Sequence, residues 1–244
     1  MIATNDHVVR LAKQLADGQG CSKEHWPISA VLFHLLPDHG MCQLSMEVLG
    51  VFAISAFQPK GVYYGPKPPD LGFLHVNMRG LPHLEILNDH SCIEPGTRVA
   101  TAGFPMGTEA LRAPGYIHQL TPTLQEGIIS AVLPFPCKTP HALMLNMMSQ
   151  GGASGSPIFA VDQPHVVGVL YAGLNETYTA EVQGVQIPYL VPANFTYCVP
   201  AHFVKKALES ICTQPELALP ADCPVFEEAL KNVDQAPRYN PGPT

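Results

Sequence analysis

The chain has 244 residues, 46% of them hydrophobic and only 14% charged, a balance that excludes intrinsic disorder and provides for buried cores. Its formal net charge is −7 and it has no basic run, which argues against nucleic acid or an anionic membrane as a main partner. No stretch of about 20 apolar residues is free of polar interruption, so no membrane span is expected.

The 25 prolines and 20 glycines punctuate the chain into many short segments, as all-β architectures require, and the length suits two small β domains around a cleft. In chain order, Met1-Ile2-Ala3-Thr4-Asn5-Asp6-His7-Val8-Val9 opens as a strand and carries an imidazole at its end. A helix-like run, 8–16, follows, and then apolar stretches at 28–36 and 41–57. Pro68 and Pro69 bring the chain in extended to Asp70. After Asp70, Leu71, Phe73 and His75 alternate with Gly72, Leu74 and Val76 on a strand that is apolar on both faces. Residues 98–102 read as a strand, 103–107 as a turn and 108–114 as a linker. Further strands are expected at 116–120, 127–133, 142–147, 156–160, 166–171, 189–191 and 195–199. Residues 201–212 have helical periodicity, with Phe203, Val204, Ala207, Leu208 and Ile211 on one side. The proline-bearing tail, 213–244, holds one short helix near 225–232 and is otherwise expected to be loosely held.

The segment Gln150-Gly151-Gly152-Ala153-Ser154-Gly155-Ser156-Pro157 concentrates the chemistry. Glycine before a serine lets a backbone N–H turn inward, and glycine after it keeps the turn tight and the hydroxyl accessible. Two inward N–H groups beside a nucleophile form an oxyanion hole. Alone, the segment reads equally well as a Gly/Ser hairpin loop. A nucleophile elbow is excluded, because Ser156 stands where that motif needs its second glycine. His7 is the candidate base and Asp70 the candidate acid; a carboxylate at the mouth of so apolar a strand needs a hydrogen-bond partner. Separately, His7 is one of 11 histidines and Asp70 a strand cap; the order His, Asp, Ser gives them a joint meaning.

That order and these contexts resemble the chymotrypsin-like serine peptidases, above all the bacterial trypsin-like branch that includes the high-temperature-requirement proteases. Thr4-Asn5-Asp6-His7-Val8-Val9 is similar to that branch's Thr-Asn-x-His-Val-Val. Asp70-Leu71-Gly72-Phe73-Leu74 resembles Asp-Leu-Ala-Val-Leu, and Gly152-Ala153-Ser154-Gly155-Ser156-Pro157 resembles Gly-Asn-Ser-Gly-Gly-Pro. The resemblance runs from residue 1 to about 212. It implies an all-β fold of two six-stranded antiparallel barrels and a closing helix. By the same resemblance the first barrel, 1–108, is expected to be incomplete at its N-terminus, since the family has two or three strands before this histidine; the second is expected to span 109–212. It also implies a triad of His7, Asp70 and Ser154, with the N–H groups of Gly152 and Ser154 as oxyanion donors.

The resemblance further implies that an extended protein or peptide substrate lies along Tyr171-Ala172-Gly173. The loop feeding the primary pocket would contain Met147 and Met148, with no aspartate to select Arg or Lys, so an apolar or small side chain is expected before the cleaved bond. The methionines fit a core role equally well. Two departures stand out: Ala153 replaces the acidic or amide residue before the serine, and Ser156 replaces a glycine. Three functional classes remain open: a serine endopeptidase, a non-catalytic protease-like scaffold that binds peptides or proteins, and an esterase on the same triad. No cofactor is expected, and no metal, since the histidines lack helix-type ligand spacing. The seven cysteines form no Cys-x-x-Cys pair and read as mainly reduced. Neither the compartment nor the oligomeric state is legible.

Overall fold

The structure, a computed structural model, describes residues 1–18, 28–35, 41–54, 62–66, 68–104, 122–147, 152–163, 165–214 and 217–232. The chain divides into two units. One comprises Met1–Ala53, Gly72–His83 and Ser210–Thr244, the other Ile54–Leu71 and Leu84–Glu209.

In the first unit β1 (Ile2–Thr4) leads into α1 (Asp6–Gly18), followed by β2 (Ser29–Leu35), β3 (Met41–Ile54) and β4 (Leu71–Val76). The strands form one sheet in the order β1-β4-β3-β2. Helix α1 begins at Asp6, and the backbone carbonyl of Asn5 accepts its first hydrogen bonds, from the N–H groups of Val8 and Val9. Asp6 sits in the first turn, where a negative charge suits the helix dipole, and pairs with Arg10 one turn on. Val9 and Ala12 are buried along one side of the helix. The apolar character of both faces of β4 is realised: five of its six residues are buried. Met46, Val48, Val76 and Met78 form the core of this unit, together with Phe226 from the tail.

The second unit contains β5 (Glu85–Ile86), β6 (Arg98–Gly103), β7 (Thr123–Leu133), β8 (Ala142–Leu145), β9 (Pro157–Ala160), β10 (His165–Val182) and β11 (Val185–Pro200). Neighbours run β11-β8-β7-β6-β9-β10, and β10 pairs back to β11, so six antiparallel strands close a ring. Closure gives every strand of the ring two neighbouring strands among the described residues. Strand β5 adds to β10 in parallel. Val99, Ile129, Leu143, Leu145, Ile158 and Val167 fill the interior, all essentially without solvent contact. Two helices follow, α2 (Ala201–Ile211) and α3 (Phe226–Asn232).

This is the all-β fold expected from the sequence, with a four-stranded half-barrel sheet in one unit, a six-stranded ring in the other, and two helices late in the chain. Three local readings change. The segment 98–102, expected to end the first barrel, is bonded on both sides to strands of the ring, β7 and β9. Residues 189–191 and 195–199 are not two strands but parts of β11, and β10 runs 11 residues beyond Tyr171. Those extra residues are mostly exposed, so the apolar periodicity that marks a buried strand is missing from them. The expected linker at 108–114 and the strand at 116–120 lie outside the described residues.

Candidate active site

Ser154 lies in the turn that feeds β9, in the second unit. The Ser156 N–H donates to the Ala153 carbonyl (3.1 Å), closing a four-residue turn with Ser154 and Gly155 at its corners. Gly155 has φ 89° and Ser154 is not left-handed, the signature of a type II turn, whose third position demands glycine. Gly152, two residues before the serine, also has positive φ, 91°. The turn is pinned to β10 from both sides: Gly155 N–H donates to the Leu170 carbonyl (2.9 Å), and Leu170 N–H donates to the Ser156 carbonyl (3.0 Å). Gly155 and Ser156 thus spend their N–H groups on holding the turn. Those of Gly152 and Ser154 enter no backbone hydrogen bond among the described residues.

Ser156, the departure from the family's glycine, is accommodated by a second glycine. A Cβ on Gly103 would fall 2.2 Å from Ser156 Oγ, so the hydroxyl occupies the space that a side chain on β6 would take. Beyond the end of β8, the Met147 carbonyl accepts a hydrogen bond from Thr196 Oγ1 (2.6 Å). Met147 itself is buried in the barrel core, which agrees with the core reading of this residue, whereas Met148 lies outside the described residues.

Asp70 is half-buried at the entrance to β4 and belongs to the second unit. Its charge bears on Tyr171, one residue beyond the Leu170 that holds the serine turn. Tyr171 is buried, and its phenol is driven far above the ordinary range, first by burial, then by the neighbouring Tyr63 and more weakly by others, Asp70 among them. Burial also pushes Tyr63 up to about 12, with the Tyr171 phenol beside it pulling the other way. The Tyr63 O–H donates to the His141 carbonyl (3.1 Å), and its ring stacks on the imidazole at 5.3 Å. The Tyr64 N–H donates to His141 Nδ1 (3.0 Å). These tyrosines and His141 were not anticipated; the Tyr63-Tyr64 doublet ahead of the prolines was the only trace of them in the sequence. Within the second unit, then, the serine turn and Asp70 both bear on the Leu170–Tyr171 stretch of β10.

His7 belongs to the first unit and is exposed. It is not at a strand end as expected but in the first turn of α1, three residues past β1, because the chain turns helical at Asp6 before the histidine is reached. Strands β1 and β4 pair antiparallel with Thr4 opposite Gly72, so the chain leaves this end of the ladder toward His7 and enters it from Leu71. Gly72 matters at this point. A Cβ there would meet Val9 Cγ2 at 2.5 Å and the Asn5 carbonyl oxygen at 2.8 Å, so the missing side chain lets the start of α1 press onto β4. Of the expected substrate segment, Tyr171 is buried, Ala172 half-buried and Gly173 exposed; Ala172 and Gly173 pair with Tyr197 and Thr196 of β11.

Among the described residues no three His, Cys, Asp or Glu side chains gather to hold a metal, and no helix is long and apolar enough to cross a membrane. Cys92, Cys137, Cys198, Cys212 and Cys223 are free thiols.

A family model described as trypsin-like peptidase domain matches residues 1–169, which include all three candidate triad residues. No curated protein matches the sequence. Among solved structures, the HtrA-type protease AlgW with a decapeptide is similar at 15% identity and a TM-score of 0.47, over 87% of this chain and 48% of its own. AlgW with a tripeptide gives 16% identity and 0.46, over 86% and 51%. The Rv3671c protease in an inactive form gives 16% and 0.40, over 70% and 71%. The chain therefore spans about half the length of the AlgW structures it matches.

Proposed function

From a chain that belongs to the trypsin-like peptidase domain family, we propose a serine endopeptidase that works through His7, Asp70 and Ser154. The observation that carries this reading is the turn at Ala153–Ser156. Positive φ at Gly152 and Gly155 and two bonds to Leu170 present Ser154 at a fixed corner, with its own N–H and that of Gly152 left for an incoming oxygen. Fixed donors aimed at developing charge stabilise a tetrahedral intermediate because they need no reorganisation when the charge appears.

In this reading Ser154 Oγ attacks the scissile carbonyl carbon while His7 takes its proton. The carbonyl oxygen, now negative, is held by the N–H groups of Gly152 and Ser154. His7 returns the proton to the leaving amine, and water then releases the acyl group by the reverse sequence. Asp70 keeps the imidazole in the right tautomer and stabilises the imidazolium. The substrate lies extended along Tyr171-Ala172-Gly173, adding a strand beside β10. Without an aspartate in the loop that would feed the primary pocket, small or apolar side chains are favoured before the cleaved bond.

Labelling with a fluorophosphonate tests the reading. The native chain is expected to label, Ser154→Ala not at all, and His7→Ala at a rate reduced by about two orders of magnitude or more, since serine is a weak nucleophile without its base. A folded native chain that stays unlabelled would reduce the protein to a peptide-binding scaffold. Normal labelling of His7→Ala would remove the histidine from the triad.

A further inference from the structure

Strands β10 and β11 continue past the barrel as a two-stranded arm. Its ladder runs without interruption from Asn175↔Pro192 to Val182↔Val185. Gln183 and Gly184 close it with φ 53° and 78°, the two left-handed positions of a type I′ hairpin turn, whose twist matches that of the flanking strands. Directly opposed residues share a face and successive residues alternate, so the register sorts the arm into two unlike sides. One side carries Asn175, Thr177, Thr179, Glu181 and Gln186, with Leu190 and two prolines. The other carries Tyr178 against Tyr189, Ala180 against Ile187, and Val182 against Val185, with Val191 opposite Glu176 nearer the barrel.

The apolar side is bare. Tyr178, Val182, Val185, Ile187, Tyr189 and Val191 are each 37–60% exposed. A lone two-stranded hairpin is at best marginally stable in water, and contiguous exposed apolar surface of this kind marks an interaction site. We propose that this face packs against the same face of a second copy of the chain, forming a two-fold dimer through the arms.

Three observations favour that occupant. First, the six side chains expose roughly 500 Å² per copy, so apposing two faces removes roughly 1,000 Å², the floor for a specific interface. Second, charge argues against a lipid surface: from Tyr171 to Pro200 there is no Lys or Arg, and the only charged residues are Glu176 and Glu181. Anionic leaflets repel such a ribbon in a chain of net charge −7. Third, the face can meet itself without opposing like charges. Its one charge, Glu176, accepts a hydrogen bond from the Tyr178 O–H (2.6 Å), which ties the carboxylate down beside the ring. With the arms antiparallel about a two-fold, each Glu176 lies over the partner's Val182–Val185 tip and about 20 Å from the other Glu176, at about 3.3 Å per residue.

Sedimentation velocity on the full chain, across two orders of magnitude in concentration, tests the proposal. The native chain is expected to associate to a dimer. Tyr189→Glu and, separately, Ile187→Glu should weaken association by about tenfold or more, while Thr179→Glu, on the polar side of the same arm, leaves it unchanged. Circular dichroism establishes that each variant is folded. Should Tyr189→Glu not fold, concentration-dependent amide protection confined to 176–191 of the native chain gives an independent reading. Four results overturn the proposal: a native chain monomeric throughout, association that survives Tyr189→Glu, equal loss in Thr179→Glu, or arm-dependent flotation with phosphatidylcholine–phosphatidylglycerol vesicles. Fluorophosphonate labelling is a separate readout, so failure of the dimer and failure of the peptidase reading are told apart.

Discussion

Gly72 and His202 show how single residues set the behaviour of the two units. Gly72 needs no unusual dihedral; it needs space, because the Asn5 carbonyl and Val9 already occupy the position of its Cβ. Backbone cannot swing aside as a flexible side chain can. Gly72→Ala is therefore expected to displace the first turn of α1, at a cost of about 1–3 kcal/mol, measurable by urea unfolding. Because that turn carries His7, fluorophosphonate labelling of the folded variant should slow as well. His202 is pushed down to about 4, first by burial and then by the neighbouring His90, His141 and Lys206. The unfolded ring takes its proton near 6.5, so between pH 6.5 and 4 the unfolded chain holds a proton that the folded one refuses. The neutral ring's contribution is thus fully present above pH 6.5 and is lost as the pH falls toward 4. Because the ring is partly open to solvent, which screens its neighbours, the loss amounts to about 1–2 kcal/mol. Calorimetry should show the melting temperature of the native chain falling across this window, and a shallower fall for His202→Gln.

At the scale of elements, α3 binds the end of the chain to its beginning. Phe226 is 7% exposed within the core formed by Met46, Val48, Val76 and Met78, and its N–H donates to the Arg79 carbonyl. Arg79 pairs in turn with Val225, and its guanidinium donates to the carbonyls of Pro220 (2.5 Å) and Ala221. Phe226→Ala removes a large side chain from a core that cannot fully collapse, and a loss of about 3–5 kcal/mol is expected in the unfolding of the first unit. The arm of β10 and β11 is the opposite case. Its turn and register are well specified, but its apolar side stays 37–60% exposed at six residues, which is why its stability is expected to depend on protein concentration.

For the whole molecule, the proposed chemistry draws on both units: His7 belongs to one, Asp70 and Ser154 to the other. Weakening the first unit through Phe226→Ala should therefore lower the fluorophosphonate labelling rate although the serine turn and the barrel core are untouched. Labelling as fast as in the native chain, under conditions where the first unit is shown to be loosened, would detach the serine's reactivity from His7.

The barrel strands, the closing helix and the short tail helix were legible because their apolar residues recur at the period of the element that buries them. The serine turn was legible because glycine at positive φ leaves a mark in composition that no packing is needed to read. The placement of His7 in a helix was half legible: an acidic residue such as Asp6 suits a first turn, but the room for that turn against β4 comes from Gly72, distant in sequence. The tyrosines around His141 left almost no periodic signal, since each is a single anchor contacting a remote segment, and the core that Phe226 joins is likewise a remote one.

By itself the sequence determined the fold class, the serine turn and the order of the three candidate residues, all of which rest on local backbone preference or on short-range pattern. Only the tertiary structure decided that 98–103 belongs to the closed ring, that the tail seals the first core, and that two strands run on into an exposed arm. These depend on which distant segments hydrogen-bond to one another, and partner choice between strands is a property of the folded whole that no local stretch of sequence encodes.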